Sequence, residues 1–342
     1  MKFAIGYQVL EGPWGGGNRF VSALANRLSD DGHSVYFDLS EPDLDFVILI
    51  DPRPRLSNIP FSAGAILRYL AFKNPRALVI HRINECDERK NTHTMNRRLR
   101  RANYCADHTV FVGKWLQKLA VWRDEAPEKA SVIHNGADSN VFHARGFTPW
   151  NGTGPMRLVT HHWGGNWMKG FDVYSQIDTL LDDAEWRERL AFTYIGNLPK
   201  GFSFRNAHYI KPLNGEALAN ELRSHHGYLT ASINEPGGNH QNEGALCGLP
   251  MLYRDSGCLP EYLNGFGIMF NGPDSFQMAF SEYVNDYPEL VRRMSNYPAT
   301  SDRCMDTWMK LFDTLDENRV TITASRSLRR SPVTFLLNQL PV

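Results

Sequence analysis

The chain has no run approaching the eighteen or so consecutive apolar residues that a membrane-spanning helix needs. The apolar stretch within Met1–Tyr7 is too short for a secretory signal. Cysteine is scarce: Cys86, Cys105, Cys247, Cys258 and Cys304 are odd in number and form no CxxC pair. That pattern gives no support for a disulfide framework or a paired-cysteine metal or redox motif, so a reduced, cytoplasmic chain is expected. Charge of either sign is missing in excess. With 37 Lys+Arg against 37 Asp+Glu, the composition argues against a protein built chiefly to hold nucleic acid. There is no repeat of 20–50 residues and no low-complexity segment.

What is present is a globular composition, 42% hydrophobic over 342 residues, enough for about two domains. Short apolar runs alternate with helical periodicity along most of the chain. Phe3–Val9, Ser34–Leu39 and Asp45–Ile50 read as strands, with an amphipathic helix between the first two carrying Phe20, Val21, Leu24, Ala25 and Leu28 on one face. Ala77–Ile80, His108–Val112 and Ser131–His134 continue the pattern. Continuous apolar strands between helices predict a parallel sheet covered on both faces. Residues 144–155 lose the periodicity and are rich in Gly, Pro and turn formers, the best candidate boundary. After it the pattern restarts with strand Met156–Thr160, a glycine turn, and helix Phe171–Leu181. The expected organisation is a first domain over 1–145, a hinge over 146–155, a second domain over 156–315, and a tail over 316–342 packed back on the body.

Chemistry-bearing residues collect where strands end. The first strand leads into Gly12-Pro13-Trp14-Gly15-Gly16-Gly17, a loop suited to close backbone approach to a ligand. Asp38 lies some twenty residues on, but the glycine spacing is not G-x-G-x-x-G, which argues against a dinucleotide. The fourth apolar run ends in His81-Arg82, and His81 is singled out because histidine titrates near neutrality. His161 and His162 close the first strand of the second half, and Lys169 follows just before a helix start, a good position for a phosphate-binding ammonium. No cysteine or carboxylate completes a zinc set with the adjacent histidines, so no metal is expected. The run Asn234-Glu235-Pro236-Gly237-Gly238-Asn239-His240-Gln241-Asn242-Glu243 joins a buried strand to a helix. Its free amides and two flanking acids suit a phosphorylated, polyhydroxylated ligand. Arg97, Arg98, Arg100 and Arg101 form a basic run that either faces solvent or meets an anionic acceptor or an anionic membrane surface.

Taken in order, these segments resemble the retaining glycosyltransferases of the GT-B fold, family-4 type. Glu235 and Glu243 have that family's Glu-x7-Glu spacing, Gly248-Leu249-Pro250 its Gly-x-Pro, and Ser256–Glu261 its Gly-Gly-x-Pro-Glu turn. His134-Asn135-Gly136-Ala137-Asp138 resembles its interdomain element, and Lys169-Gly170 its Lys-Gly pair. The resemblance implies two Rossmann-like domains facing across a cleft, the first for the acceptor and the second for a nucleotide-sugar donor. By the same resemblance Lys169, Glu235 and His81 are the catalytic group. Glu243 holds the ribose, and Gly15, Gly16, Gly17, Asn197, Gly237, Gly238 and Asn239 meet the donor. One departure stands out: the arginine usual shortly before the lysine is replaced here by Trp163-Gly164-Gly165-Asn166. His162, Asn166 and Arg82 are candidates for that second phosphate ligand. The implied reaction is hexosyl transfer to a glycan, lipid-linked or small-molecule acceptor, as in polysaccharide biosynthesis, with no cofactor beyond the donor substrate. A sugar-nucleotide epimerase and a non-catalytic nucleotide-sugar-binding protein of the same fold are the alternatives. The implied location is the cytoplasm, with peripheral membrane contact through the arginine run left open.

Overall fold

The computed structural model describes residues 1–10, 16–53, 56–328 and 331–340. Its strands are β1 (Lys2–Ile5), β2 (Ser34–Tyr36), β3 (Phe46–Leu49), β4 (Leu78–Ile83), β5 (His108–Phe111), β6 (Ala130–Val132), β7 (Met156–His162), β8 (Leu190–Gly196), β9 (His208–Ile210), β10 (Gly227–Thr230), β11 (Met251–Arg254) and β12 (Gly267–Phe270). The α-helices are α1 (Gly16–Asp30), α2 (Ala63–Phe72), α3 (Met95–Ala102), α4 (Lys114–Gln117), α5 (Phe171–Leu180), α6 (Ala184–Arg189), α7 (Gly215–Arg223), α8 (His240–Leu246), α9 (Leu259–Leu263), α10 (Phe276–Met294), α11 (Ser301–Glu317), α12 (Arg319–Ser325) and α13 (Pro332–Gln339). The chain divides into two compact units, Met1–His134 with Cys304–Val342, and Asn135–Arg303.

The first unit is built on one parallel sheet in the order β2-β1-β3-β4-β5-β6. Strands β3, β4 and β5 are buried at every position, as expected where helices cover both faces. On one face α1 and α11 pack through Phe20, Leu24, Trp308 and Phe312 against Phe3 and Phe46. Phe3 and Phe312 meet edge to face at 4.9 Å between ring centres, and Phe20 lies 5.3 Å from Trp308. On the other face α2 contributes Ile66, Leu67 and Leu70, with Leu328 and Phe335 packed against that core. The C-terminal segment is fastened to the same unit by polar contacts. Arg326 Nε donates to Asp107 at 2.8 Å, and Asn338 Nδ2 donates to the Arg101 carbonyl at 3.1 Å.

The second unit is also wholly parallel, in the order β12-β11-β10-β7-β8-β9. Its first strand, β7, is central, and successive strands are laid down first to one side and then to the other. The core sits under Leu158, Phe171, Tyr174, Tyr194, Phe276 and Tyr283.

Two expected boundaries move. Residues 146–155, read as a hinge, pack into the second unit: the Trp150 ring meets Tyr287 edge-on at 6.2 Å, and its backbone N–H donates to the Tyr287 hydroxyl at 3.1 Å. The glycines of this stretch serve turns at positive φ, namely Gly146 at 87°, Gly152 at 86° and Gly154 at 66°, which composition does not distinguish from a linker. At the other end residues 304–315, assigned to the second domain on sequence, belong to the first unit because Trp308 and Phe312 complete its core. The chain therefore passes between units at 134/135 and again at 303/304.

Candidate active site

In the second unit the strand order reverses between β7 and β10, and open α/β sheets bind ligands beyond the carboxyl ends of strands at such a point. The segments leaving those two strands carry Lys169 and the 234–239 turn. They are locked together by close backbone packing. The loop after β7 ends in a 3₁₀ turn, Trp167–Lys169, followed by Gly170 at φ 100°. A Cβ at Gly170 would lie 2.5 Å from Ala231 Cβ, so only glycine lets the loops approach this closely. The Ile233 N–H donates across to the Met168 carbonyl at 2.8 Å.

The turn after β10 is held from two further sides. Asn234, itself at φ 53°, donates its N–H to Ser256 Oγ at 2.8 Å, and the Cys258 N–H donates to the Glu235 carbonyl at 2.8 Å. From the opposite direction Asn135 Nδ2 donates to the Gly237 carbonyl at 2.6 Å. Asn135 is in turn fixed by its N–H to the Tyr262 hydroxyl at 2.7 Å and by Asn242 Nδ2 on its carbonyl at 3.1 Å. Gly238 passes over the start of α8, where a Cβ would fall 2.6 Å from His240 Nδ1 and 2.8 Å from Gln241 Oε1.

Two buried acid–base pairs occupy this scaffold. Lys169 Nζ donates to Glu235 Oε2 at 2.6 Å, with the side chains 11% and 5% exposed. Glu243 Oε2 lies 2.7 Å from His161 Nε2. A tyrosine extends the pair. The Tyr228 hydroxyl accepts the His161 backbone N–H at 3.1 Å and lies 3.0 Å from His161 Nδ1 and 3.4 Å from the His161 carbonyl. Burial pushes the Tyr228 phenol well above its ordinary range, so it keeps its proton and can donate on this side.

Around these pairs lie buried polar atoms with no hydrogen-bond partner among the described residues: Ser232 Oγ, Asn239 Oδ1, Asn166 Oδ1, His162 Nδ1, and both ends of the Gln241 amide. Such atoms are costly unless something else satisfies them, and their concentration here marks a place for a polar ligand.

The structure sorts the sequence-derived candidates. Lys169, Glu235, Gly237, Gly238, Asn239 and Glu243 share the switch-point scaffold of the second unit. Asn197 is beside it, its side-chain amide donating to the Trp163 carbonyl at 2.7 Å, so that nitrogen fastens the β7 loop. His162 is fully buried, with Nε2 2.8 Å from the Tyr174 hydroxyl and its ring 4.5 Å from that of His240. Burial, then the neighbouring His240, Lys169 and His161, drive its pKa well below 6.5. A neutral His162 differs from an arginine in bringing no positive charge to a phosphate, while its Nδ1 is still without a hydrogen-bond partner among the described residues.

His81 and Arg82 belong to the first unit, side by side in β4 and buried. His81 Nδ1 pairs with Asn103 Oδ1 at 2.9 Å, and burial lowers its pKa to about 4. It is thus a neutral imidazole whose Nε2 has no partner among the described residues. Arg82 stacks over Phe20 at 3.9 Å. Gly16 and Gly17 open α1, whereas Gly15, with Gly12 to Trp14, lies outside the described residues. Of the arginine run, Arg100 is paired with Glu125, and Arg101 donates to the Leu340 carbonyl at 2.9 Å. Among the described residues no group of three or more His, Cys, Asp or Glu side chains is arranged to hold a metal ion. Among them, too, no helix is long and apolar enough to cross a membrane.

Sequence reasoning did not find the Tyr228–His161–Glu243 relay or the unpartnered Gln241 and Ser232. His161 was weighed only as a metal ligand. Its position at the carboxyl end of the strand beside β10 was the available signal.

No protein-family profile matches the chain, and no curated protein matches it in sequence. Solved structures do. A glycosyltransferase from Rickettsia africae superposes with a TM-score of 0.64 at 12% identity, covering 93% of this chain and 99% of that one. Anabaena HepE, solved with UDP and glucose, gives 0.64 at 11%, covering 92% and 100%. A sucrose-phosphate synthase from Thermosynechococcus elongatus gives 0.62 at 14%, covering 92% and 98%. At these identities the likeness is one of fold. The chain consists of two Rossmann-like, parallel-sheet units of the GT-B type, the scaffold it shares with those structures.

Proposed function

We propose that this chain is a nucleotide-sugar-dependent retaining glycosyltransferase, moving a hexose-type sugar to a glycan, lipid-linked or small-molecule acceptor. The observation that carries the proposal is the coincidence, at the switch point of the second unit, of Lys169, two buried carboxylates and a set of unsatisfied polar atoms. In this reading Glu243, oriented by His161, accepts hydrogen bonds from the ribose hydroxyls. Glu235 and the amides of Gly237, Gly238 and Asn239 meet the donor sugar. The diphosphate draws Lys169 away from Glu235, and charge building on the departing phosphate is stabilised where it develops; removing one such donor costs roughly 10²–10³ in rate. Asn166 is taken as the second phosphate contact, its side-chain N–H donating to the phosphate as a neutral group in place of the usual arginine. In the first unit Gly16 and Gly17 are the residues that the resemblance assigns to substrate contact by backbone. His81, a neutral imidazole, accepts a sugar hydroxyl at Nε2.

A thermal-shift screen over UDP-, GDP-, ADP- and dTDP-sugars tests this directly, because a ligand at a hundred times its dissociation constant adds about 2.7 kcal/mol. Glu243→Gln keeps an acceptor for His161 but removes the charge. It should weaken the preferred donor by roughly tenfold or more, as loss of a hydrogen bond to a charged group does. Transfer to an added acceptor, with the product anomer read by NMR, completes the test. Isomerisation of the nucleotide sugar without an acceptor would instead identify an epimerase. Tight binding with neither hydrolysis nor transfer would identify a non-catalytic binder.

A further inference from the structure

We infer that the first unit carries a docking surface for an anionic lipid bilayer, formed by α13 with α2 and α3. Helix α13 turns Phe335 and Asn338 inward: Phe335 joins the core beneath α2, and the Asn338 carbonyl abuts Gly64, where a Cβ would come within 2.1 Å. This leaves Val333, Leu336, Leu337 and Leu340 outside, at spacings of three, four and seven residues that form one stripe. They are 68%, 64%, 42% and 59% exposed. Three of these aliphatic side chains are on α13 and the fourth, Leu340, is just past its end, and all four are exposed. Phe72, 83% exposed, extends the apolar surface from the end of α2, one turn beyond Arg68.

Charge identifies the occupant. The three helices contain no Asp or Glu, yet they carry Arg68, Arg97, Arg98, Arg100 and Arg101. Arg100 and Arg101 are used within the unit, but among the described residues Arg68, Arg97 and Arg98 make no ion pair, and Arg68 reaches α13 through Gln339. A second copy of this chain meeting the same face by two-fold symmetry would bring these arginines toward their own counterparts. An aliphatic stripe with arginines beside it and no acids matches an interface-lying helix that buries its apolar face among anionic headgroups. The surface lies in the first unit and does not depend on the donor-site reading.

Co-sedimentation of the full chain with phosphatidylcholine vesicles, with and without phosphatidylserine, tests the inference. Binding is expected only with phosphatidylserine, weakening as salt is raised. Both Leu336→Asp and the pair Arg97→Glu with Arg98→Glu should reduce it at least tenfold; these side chains do not build the core, so circular dichroism should be unchanged. Equal binding to both vesicle types, or binding indifferent to Leu336→Asp, would overturn the proposal. So would a dimer in analytical ultracentrifugation that Leu336→Asp dissolves, since the stripe would then belong to a second copy.

Discussion

Replacing Lys169 with alanine is expected to damage the fold of the second unit as well as any chemistry there. The Lys169–Glu235 pair is 2.6 Å long and almost wholly withdrawn from water. Removing one partner of such a pair leaves a buried carboxylate without its counter-charge, at a cost of about 3–5 kcal/mol. For a unit of this size each kcal/mol is worth roughly 2–4 °C in Tm, so Lys169→Ala should melt roughly 6–20 °C lower. Glu235→Ala should fall by a similar amount for the converse reason. The pair Lys169→Met with Glu235→Gln removes both charges and preserves volume, and replacement of a buried pair in this way is often neutral. It should therefore recover most of the stability while failing to bind a nucleoside diphosphate. Differential scanning fluorimetry of the four proteins, with and without nucleotide, separates the two effects. If both single variants melt within about 1 °C of the parent, a shift far smaller than a broken buried pair produces, the pair is not buried as described and the reasoning fails. The neutral double variant is then the proper test of catalysis, because a bare Lys169→Ala confounds lost activity with lost structure.

Two further outcomes follow from the same structure. His81 is held neutral in the folded state, its pKa lowered from 6.5 to about 4 by burial. The unfolded chain therefore takes up the proton first: stability from this group is constant above pH 6.5 and declines below it. The loss reaches about 2 kcal/mol at pH 5 by linkage and levels off near pH 4, and His162 adds to it in the same direction. Urea midpoints at pH 7 and pH 5 read this, and identical midpoints would contradict it. Gly170→Ala should destabilise by roughly 2–5 kcal/mol, combining left-handed strain with a collision against Ala231, whereas Gly201→Ala, at φ 79° in open space, should cost only the strain, about 1–2 kcal/mol. Thermal unfolding distinguishes the two, and equal losses would show that the Gly170–Ala231 approach is not tight.

The parallel sheets were legible because burial on both faces leaves a direct mark: β3 and β10 are plain apolar runs between helical patterns. Lys169, Glu235 and Glu243 were legible for a related reason, since strand ends in such sheets are where polar residues gather. What escaped was whatever depends on partners distant in sequence. Glu243 and His161 are 82 residues apart, and nothing in either segment announces that one imidazole will link Tyr228 to the carboxylate. The burial that disqualifies His162 as a cation is likewise invisible in a run reading His-His-Trp-Gly. Glycine-rich composition misplaced the boundary at 146–155 because a turn folded onto a domain and a free linker use the same residues.

The return of α11 to the first unit has a bearing on how the protein is made. Phe3, Phe20 and Phe46 leave the ribosome well before the rings that close over them, Trp308 and Phe312. Residues 135–303 form a contiguous unit that needs nothing on either side for its own sheet, so it can fold while the earlier-made segment still has an open core. In order of completion the first unit is thus the second of the two. Its uncovered aromatic face, waiting for residues 304–317, is the surface a chaperone would have to shield during synthesis.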